Sequence, residues 1–573
     1  TRWALTADAS DRVDCLKTRT LWRAIVLRVH SAGATWLLAT ALVVAVALLP
    51  VAALAWTALH GKSGHWQHLL QYVLPEAARN TLWLLLGVGS LALFLGAGSA
   101  WVVTAYAFPG RRVLAWALLL PLAMPSYIIA FVYADLLHPI GPVQTVLREL
   151  VGYDSPRQWR LPDIRSLSGA IVLLGLVLYP YVYLSARAAF MTQSKHLMEA
   201  ARALGHGPWG VIRRVVLPLA RPALAVGLSL ALLETLNDIG ASEFLGVHTL
   251  TISIYTTWVT RSDLAGAAQI ALSMLSLVLL CIGLEQHGRA RLRFANVQGR
   301  GYLQPKRLHG PVRWLALLLV ALPVVLGFVA PAAYLLHQAL VRMLQSEQIS
   351  HALLASARNT VVLALAATIC AVLAGLLVAW TSRQGMRSAL PSGWPVRLAS
   401  LGYAIPGTVL AIGLLPPALR LDAWVADWLG LSGLPLMMAG AWLLLGCSLR
   451  FLAIAANGVQ SGLLRQPSAL EQAARLLGQG PAGVLWRVHL PLLRPALASS
   501  AMLVFVDAMK ELPATLLLRP PNFETLSTLL YAEAVRGTYE EGAIAALAIV
   551  LAGIVPVVWL AKQQERDVMK QAT

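Results

Sequence analysis

The segment Met198–Leu224, MEAARALGHGPWGVIRRVVLPLARPAL, occurs a second time as Ser468–Leu497, SALEQAARLLGQGPAGVLWRVHLPLLRPAL. A constant difference of 273 residues aligns the two copies without a gap. The aligned pairs include Ala200/Ala473, Ala201/Ala474, Arg202/Arg475, Gly205/Gly478, Pro208/Pro481, Arg214/Arg487 and Pro218/Pro491. Each copy is polar and lies between long apolar runs, so the repeat indicates an internal duplication of a larger unit.

The apolar runs define the fold class. The chain has 573 residues, of which 58% are hydrophobic and 12% charged, and its mean hydropathy is +0.68. In a soluble domain about a quarter of all residues are normally charged. Runs of 18 or more apolar residues recur along the chain, and each is long enough to cross the roughly 30 Å hydrocarbon core of a bilayer. The sequence therefore predicts an all-α polytopic membrane protein.

The net charge of +19 does not indicate a nucleic-acid partner. The basic residues lie at the ends of apolar runs, which is the bias expected of cytoplasmic loops in a membrane protein. The four cysteines are far apart and three lie in apolar runs, so we expect neither a disulfide framework nor a zinc site. We also expect no cleavable signal, because the first apolar run, from about Thr35, is too long.

The apolar runs fall into two sets of six predicted spans: 35–59, 81–107, 113–136, 168–190, 219–242 and 264–284, then 313–339, 359–381, 396–419, 434–457, 496–518 and 541–562. This divides the chain into a cytoplasmic arm (1–34), a first half (35–284) with its repeated segment near 195–222, a basic cytoplasmic linker (285–312), a second half (313–565) with its repeated segment near 468–495, and a tail (566–573). The Ala-Arg-Asn-Thr sequence at 78–81 returns at 357–360, so the duplication extends beyond the repeated segments. Six spans per half make the repeats parallel.

The distribution of basic residues sets the orientation. With the N-terminus inside, the segments on the inner side hold most of the Lys and Arg, and the outer loops are mixed in charge. We therefore expect both repeated segments and both termini on the cytoplasmic side of the membrane.

Each repeated segment has the signals of a short helix. Ser468 is a candidate N-cap, and Glu471 three residues later is placed to complete a capping box; Ser194 precedes the first copy less regularly. Gly205 and Gly478, each followed by x-Gly-Pro, are candidate C-caps. A second short helix is predicted to run from there to Leu-Pro, where the next span begins. The alternative interpretation is a pair of structured loops without a partner.

Glu199-Ala200-Ala201 with Gly205 and the downstream Leu217-Pro218 resembles the EAA loop of permease subunits in binding-protein-dependent ABC importers. The second copy differs, since Gln472 stands where Glu199 does and Glu471 lies one place earlier. The resemblance implies a type I importer permease fold in which each loop forms a coupling helix that docks on a cytoplasmic ATPase. It assigns this role to Glu199, Ala200, Ala201, Gly205, Glu471, Ala473, Ala474 and Gly478, with the two glutamates pairing with basic groups of the ATPase.

The same resemblance implies the partners. They are two copies of the ATPase, which bind ATP and Mg, a periplasmic substrate-binding protein, and the lipid of a bacterial inner membrane. No cofactor is expected on this chain and no enzymatic activity of its own. Gly61-Lys62-Ser63 is not the end of a phosphate-binding loop, because Trp56 stands where that motif has its first glycine.

Three further segments resemble the fused two-half permeases of ferric-iron importers: Tyr179–Tyr183 (YPYVY), Asn237–Ala241 (NDIGA) and Lys510–Pro520 (KELPATLLLRP). The resemblance implies ferric iron as substrate. Permeases for thiamine and for aminoalkylphosphonates share parts of these motifs, so those substrates remain open. An ion-coupled secondary transporter with twelve spans is the alternative from another class, and it requires no ATPase.

Four carboxylates fall within predicted spans five and eleven. The offset of 273 aligns Glu234 with Asp507 and Asp238 with Glu511. Charged groups in lipid cost a few kcal/mol each, so these side chains should face the protein interior. One interpretation is a polar lining of the translocation path that favours a cation; the other is a structural role, as partners of Lys510 and as caps of broken helices. No metal site is predicted from them.

Overall fold

The computed structural model describes residues 34–61, 64, 66–193, 195–292, 305–345, 350–385, 394–400, 402 and 405–572. The predicted arm before residue 34, the part of the predicted linker from 293 to 304, and Ser194 lie outside the described residues. The described chain is almost entirely helical, so the predicted all-α class is confirmed. A two-residue parallel pair, β1 (Tyr106–Ala107) with β2 (Lys306–Arg307), is the sheet structure within these ranges.

Helices of the first half have these bounds: α1 (Ala34–His60), α2 (Leu74–Ala105), α3 (Arg111–Ala117), α4 (Ser126–Leu136), α5 (Pro142–Val151), α6 (Leu167–Thr192), α7 (Lys195–Ala203), α8 (Pro208–Val211), α9 (Leu217–Asn237), α10 (Gly240–Phe244), α11 (Leu250–Val259) and α12 (Leu264–Leu292). Those of the second half are α13 (Val312–Val324), α14 (Ala330–Gln345), α15 (His351–Gly385), α16 (Trp394–Ala399), α17 (Gly407–Leu429), α18 (Pro435–Met438), α19 (Ala441–Leu464), α20 (Ser468–Leu476), α21 (Pro481–Val484), α22 (Leu490–Met509), α23 (Pro513–Leu518), α24 (Leu526–Arg536) and α25 (Tyr539–Ala572). The helical structure also includes a helical turn at Trp66–His68, a 3₁₀ segment at Leu120–Ala123 and π segments at Leu69–Val73, Ile212–Val216, Val325–Val329 and Leu485–His489.

Eleven helices in the described ranges are long and apolar enough to span a membrane, and twelve if one bent pair counts as a span. The prediction of about twelve spans in two sets of six is confirmed. The third span, predicted as one helix over 113–136, is the bent pair: Arg111–Ala123 and Ser126–Leu136 meet at 91°. Pro125, at the N-cap of α4, has no backbone N–H to continue a helix, which accounts for the break.

Spans five and eleven are also interrupted. The first stops at Asn237 before the short helix α10, and the second stops at Met509 before α23. The predicted continuous spans 219–242 and 496–518 are therefore wrong in this detail. Broken helices at membrane depth occur where the exposed backbone is covered by protein or lines a cavity.

The π segments Ile212–Val216 and Leu485–His489 lie 273 residues apart, like the repeated segments that contain them. Each joins a four-residue helix (α8 or α21) directly to the following span, so that Pro208–Asn237 and Pro481–Met509 are each uninterrupted helical rods. The separate short helix predicted to end at Leu-Pro is therefore wrong. The wider π turn accommodates Pro218, the second residue of α9, which cannot donate a helix hydrogen bond.

The described chain packs as two compact units that do not follow the boundary between the sequence halves. The smaller unit comprises 34–49, the described residues of 367–403, and 448–504; the larger unit comprises the described parts of 50–366, 405–447 and 505–572. In the smaller unit, Trp380, Val459, Leu463 and Leu493 form a buried apolar core. The core of the larger unit includes Met124, Ile128, Phe131 and Tyr179. The first repeated segment belongs to the larger unit and the second to the smaller one.

Candidate functional site

The first repeated segment divides its motif residues between two faces of α7. Met198 and Ala201 are buried against the apolar core, and Val211 and Val216 of the following rod join them there. Ala200 is exposed, and the carboxylate side chain of Glu199 is 48% exposed, 3.6 Å from the ring of His196. The two alanines of the motif therefore differ in function: Ala201 holds the helix on the protein, while Ala200 and Glu199 face outward.

Both repeated helices end in the same way. Gly205 donates its backbone N–H to Arg202 O (2.9 Å), and the next residue donates to Ala201 O (3.1 Å). In the second copy Gly478 donates to Arg475 O (3.0 Å), and the next residue donates to Ala474 O (3.0 Å). The two glycines have φ of +84° and +79°, which only glycine adopts without strain. The predicted glycine C-caps are confirmed in both copies.

The start of the second helix differs from the prediction. Pro467 occupies the N-cap position and no side chain caps the helix, so the capping box predicted at Ser468 and Glu471 is wrong. Glu471 is only 5% exposed, and its carboxylate accepts a hydrogen bond from Arg383 of α15. Within the described residues the partner of this carboxylate is therefore Arg383 of the same chain. Its burial follows from its position: the 273 offset aligns Glu471 with the buried Met198.

The outward faces of α7 and α20 are alike at most aligned positions, although the exposed Leu476 stands where α7 has Ala203. They carry the exposed pairs Leu197/Leu470, Glu199/Gln472, Ala200/Ala473, Arg202/Arg475 and Leu204/Leu477. The last pair is 79% and 81% exposed. Exposed leucines at equivalent positions of two polar, amphipathic helices are typical of protein interaction surfaces. We call these matched faces the paired docking faces.

A hollow adjoins the first docking face. It has a volume of about 520 Å³ and is lined by Gly205, His206, Gly207, Trp209, Gly210, Arg213 and Arg214. Arg214 lies 3.3 Å from the ring of His206, and the equivalent Arg487 donates to Gln479 Oε1 at 3.2 Å. An arginine that contacts the residue after the C-cap glycine is therefore a second feature common to both copies.

Asp238 lies at the break of span five and caps α10. Its carboxylate accepts hydrogen bonds from Ser242 N (2.8 Å) and Ser242 Oγ (2.9 Å) and from Ser126 Oγ (2.6 Å). Ser126 is the first residue after the bend of span three, so one buried carboxylate joins two broken spans. The sequence motifs did not single out Ser126, although it directly follows Pro125, the signal of the break.

Glu511 occupies the equivalent break in span eleven. Its Oε1 accepts from Ala514 N (3.0 Å) at the start of α23. Asp507 forms an ion pair with Lys510 at 2.8 Å. Glu234 is partly buried within α9. These contacts match the structural interpretation of the carboxylates, as caps and as partners of Lys510, while their position at broken helices keeps the path interpretation open.

A further polar contact near these breaks was not predicted. Tyr531 of α24 donates a hydrogen bond to Glu243 Oε2 at 2.5 Å and stacks on Phe244. An offset of 276 aligns Tyr531 with Tyr255 of α11, and the two helices share threonine N-caps, Thr249 and Thr525. The internal repeat was the signal that could have singled out the two aligned tyrosines, Tyr255 and Tyr531.

Comparison with known families identifies the fold. The family model described as "Binding-protein-dependent transport system inner membrane component" matches residues 92–294 and again 371–570. The chain belongs to this family. The permease therefore contains two copies of one domain, each including one of the repeated segments.

Three similar proteins show the range of relatives of this permease. The Fe(3+)-transport system permease protein FbpB 2 of Haemophilus influenzae is 24% identical over 85% of this chain and 90% of its own length. The putative 2-aminoethylphosphonate transport system permease protein PhnU of Salmonella typhimurium is 30% identical over 41% of this chain and 85% of its own. The molybdenum transport system permease protein ModB of Escherichia coli is 29% identical over 36% of this chain and 93% of its own. The permease is thus an ABC importer component of the multi-pass inner-membrane class, and its relatives carry different substrates.

Proposed function

We propose that this permease moves substrate from a periplasmic binding protein to the cytoplasm, driven by two copies of a cytosolic ATPase that bind its paired docking faces. The observation that carries the proposal is the repetition of one exposed helix face in both domain copies. Each face presents two leucines that are costly to leave in water and that a cleft in a partner would bury. The arginines Arg202 and Arg475 on these faces favour an acidic rim around such a cleft.

The rods that follow the docking faces give a mechanical route into the membrane. In each copy the C-cap turn leads through one short helix and one π segment into a span without an intervening loop. These rods give a displacement of either docking helix a route to α9 or α22, which end at the breaks beside Asp238 and Glu511. We propose that nucleotide binding draws the docking helices together and that the spans rock about a central path, with no covalent chemistry on this chain.

The proposed orientation places both docking faces, the N-terminus and the C-terminus in the cytoplasm. The excess of Lys and Arg in these segments supports it. Labelling of single cysteines introduced at the exposed positions Leu204 and Leu431 with a membrane-impermeant maleimide in intact cells tests it. Leu431, in the loop between α17 and α18, should be labelled from outside, and Leu204 only after permeabilisation.

Ferric iron is the proposed substrate. It rests on a relative that aligns over most of the permease and is named as an Fe(3+) permease, and on the segments that resemble such permeases. Phosphonate and molybdate carriers also appear among the relatives, and thiamine remains an alternative. Uptake of radiolabelled iron, molybdate, aminoethylphosphonate and thiamine by vesicles containing the permease, its ATPase and its binding protein decides among them.

The docking proposal is tested with Leu204→Asp and Leu477→Asp, singly and together. Each carboxylate should prevent burial of its face, so that the ATPase no longer co-purifies with the double variant. Leu431→Asp, at an exposed leucine outside the docking faces, is the control and should leave co-purification unchanged. Retention of the ATPase by the double variant refutes the proposed faces. Transport driven by an ion gradient without any ATPase would instead support the secondary-transporter alternative.

A further inference from the structure

A buried charged cluster lies behind the second docking helix. Arg383, in the last turns of α15, donates hydrogen bonds to the carboxylate of Glu471, to Leu463 O and to Gln466 O, the last at 3.0 Å. The side chain of Arg383 is 12% exposed and that of Glu471 is 6% exposed. One guanidinium therefore ties α20 to the end of α15 and to the end of α19.

His489 extends this cluster into the rod that follows the docking helix. It is fully buried, with its Nε2 3.2 Å from Glu471 Oε1 and its Nδ1 hydrogen-bonded to Gln466. Its ring packs on Trp380 of α15, with the ring centroids 5.2 Å apart. All of these residues belong to the smaller unit. The result is a continuous set of polar contacts among α15, α20 and the π segment that leads into α22.

The first domain copy has uncharged residues at the same positions, two of them apolar. The 273 offset aligns Glu471 with Met198 and His489 with Val216, and the 279 offset that relates Asn80 to Asn359 aligns Arg383 with Thr104. Those three residues are buried, at 4%, 0% and 5% exposure. Helix contacts support the 279 offset, which aligns Gly96 with Gly375. A Cβ on Gly96 would lie within 3 Å of backbone atoms of α6, and a Cβ on Gly375 would lie within 3 Å of backbone atoms of α19. In each copy this neighbour is the span that precedes the docking helix. Two residues are common to both clusters: Gln193 is the counterpart of Gln466, and Trp101 is the counterpart of Trp380 by the 279 offset. Gln193 Nε2 donates to Val216 O at 3.0 Å.

The two kinds of contact respond differently to displacement. Apolar packing is non-directional, so Met198 can shift within its pocket at little cost. A buried ion pair is directional, and separating its partners leaves each charge uncompensated in a low-dielectric interior. The second docking helix should therefore move together with α15 and α22, whereas the first can move more independently of its spans.

We propose that Arg383, Glu471 and His489 form a polar latch that fixes the second docking helix to its spans and makes the two ATPase-coupling sites of this permease mechanically unequal. The three are positioning residues, since none is placed to touch substrate or nucleotide. The unequal coupling rests on the proposed function, whereas the unequal attachment of the two helices is a property of the chain alone. The latch also explains why the second copy departs from the first at Glu471.

The first test measures attachment without any partner. Amide hydrogen exchange of the full-length permease in nanodiscs should be at least about 10-fold slower in α20 than in α7, because opening the second helix requires breaking the buried charge cluster. The triple variant Arg383→Thr/Glu471→Met/His489→Val installs the residues of the first copy and should remove most of this difference. Arg465→Gln, an exposed arginine near the cluster, is the control and should leave it unchanged. Equal exchange of α7 and α20 in the unmodified chain overturns the proposal.

The second test measures coupling in the assembled transporter. The triple variant should bind the ATPase normally, because its docking faces are intact, yet the stimulation of ATP hydrolysis by substrate-loaded binding protein should fall by about 5-fold or more. Unchanged stimulation in a triple variant that has lost its slow exchange overturns the coupling role. If the unmodified permease binds no ATPase at all, the proposed function fails, and the exchange experiment still decides whether the latch exists.

Discussion

Neutralising Asp238 should destabilise the junction of the two broken spans that it joins. In Asp238→Asn, one carboxylate oxygen is replaced by an NH₂ group, which can donate but not accept. Oδ1 accepts from Ser126 Oγ and from Ala241 N at 3.4 Å, whereas Oδ2 accepts from Ser242 N and Oγ. Hydroxyl donors can rotate away, but backbone N–H groups cannot. In either orientation of the introduced amide, its NH₂ group would therefore lie against a buried backbone N–H, and two donors would face each other.

The magnitude follows from these contacts. A hydrogen bond to a charged group contributes about 1.5–3 kcal/mol, and leaving a buried N–H unsatisfied costs about 1–3 kcal/mol. Removal of the charge itself recovers part of the desolvation cost of Asp238. We therefore expect Asp238→Asn to lower the free energy of unfolding by about 2–3 kcal/mol. Glu511→Gln is the matched variant: its retained carbonyl oxygen can still accept from Ala514 N, so we expect a loss below about 1 kcal/mol.

Intrinsic tryptophan fluorescence during heating in nanodiscs measures the two apparent midpoints against that of the unmodified permease. The Asp238→Asn midpoint should fall by several degrees and the Glu511→Gln midpoint should stay close to the original. Equal midpoints for both variants would falsify the capping argument. Transport per folded molecule distinguishes the path interpretation from the structural one. Normal transport by both variants would eliminate a role for these charges in the translocation path.

Three further substitutions, two of them paired with a matched control variant, test single contacts. Gly205→Ala should lower the free energy of unfolding by about 1–2 kcal/mol, because alanine is strained at φ +84°. Gly207→Ala should be near neutral, because Gly207 has φ −64° and open space around its Cβ. Chemical denaturation of each variant compares the two. Gly96→Ala should lower the free energy of unfolding by about 1–3 kcal/mol, because its Cβ would lie 2.7 Å from Tyr179 O. Gly98→Ala should not destabilise the permease, because no atom lies within 4 Å of its Cβ. Apparent melting midpoints distinguish the two variants. Asp422→Ala should lower the free energy of unfolding by about 3 kcal/mol, because the fully buried carboxylate accepts hydrogen bonds from two backbone N–H groups and from Trp442 Nε1. The expected result is increased protease cleavage of the loop at 430–434.

The sequence by itself determined the class, the number of spans and the repeated segments. These features depend on local chemistry: apolar runs need only be long enough for a bilayer, and a glycine C-cap needs only its own turn of backbone. For the same reason Gly205 and Gly478 were predicted correctly as helix ends, and the family match confirms the duplication that the 273-residue offset indicates.

Only the tertiary structure decided the partners of the buried polar groups. The breaks of spans three and five meet at the Ser126–Asp238 contact, which joins residues 112 positions apart. Glu471 has the spacing of a capping box, yet its carboxylate pairs with Arg383, 88 positions earlier in the chain. A local pattern cannot show which distant group approaches a side chain. In a low-dielectric interior a buried carboxylate needs such a donor, so the packing of the helices determined its role.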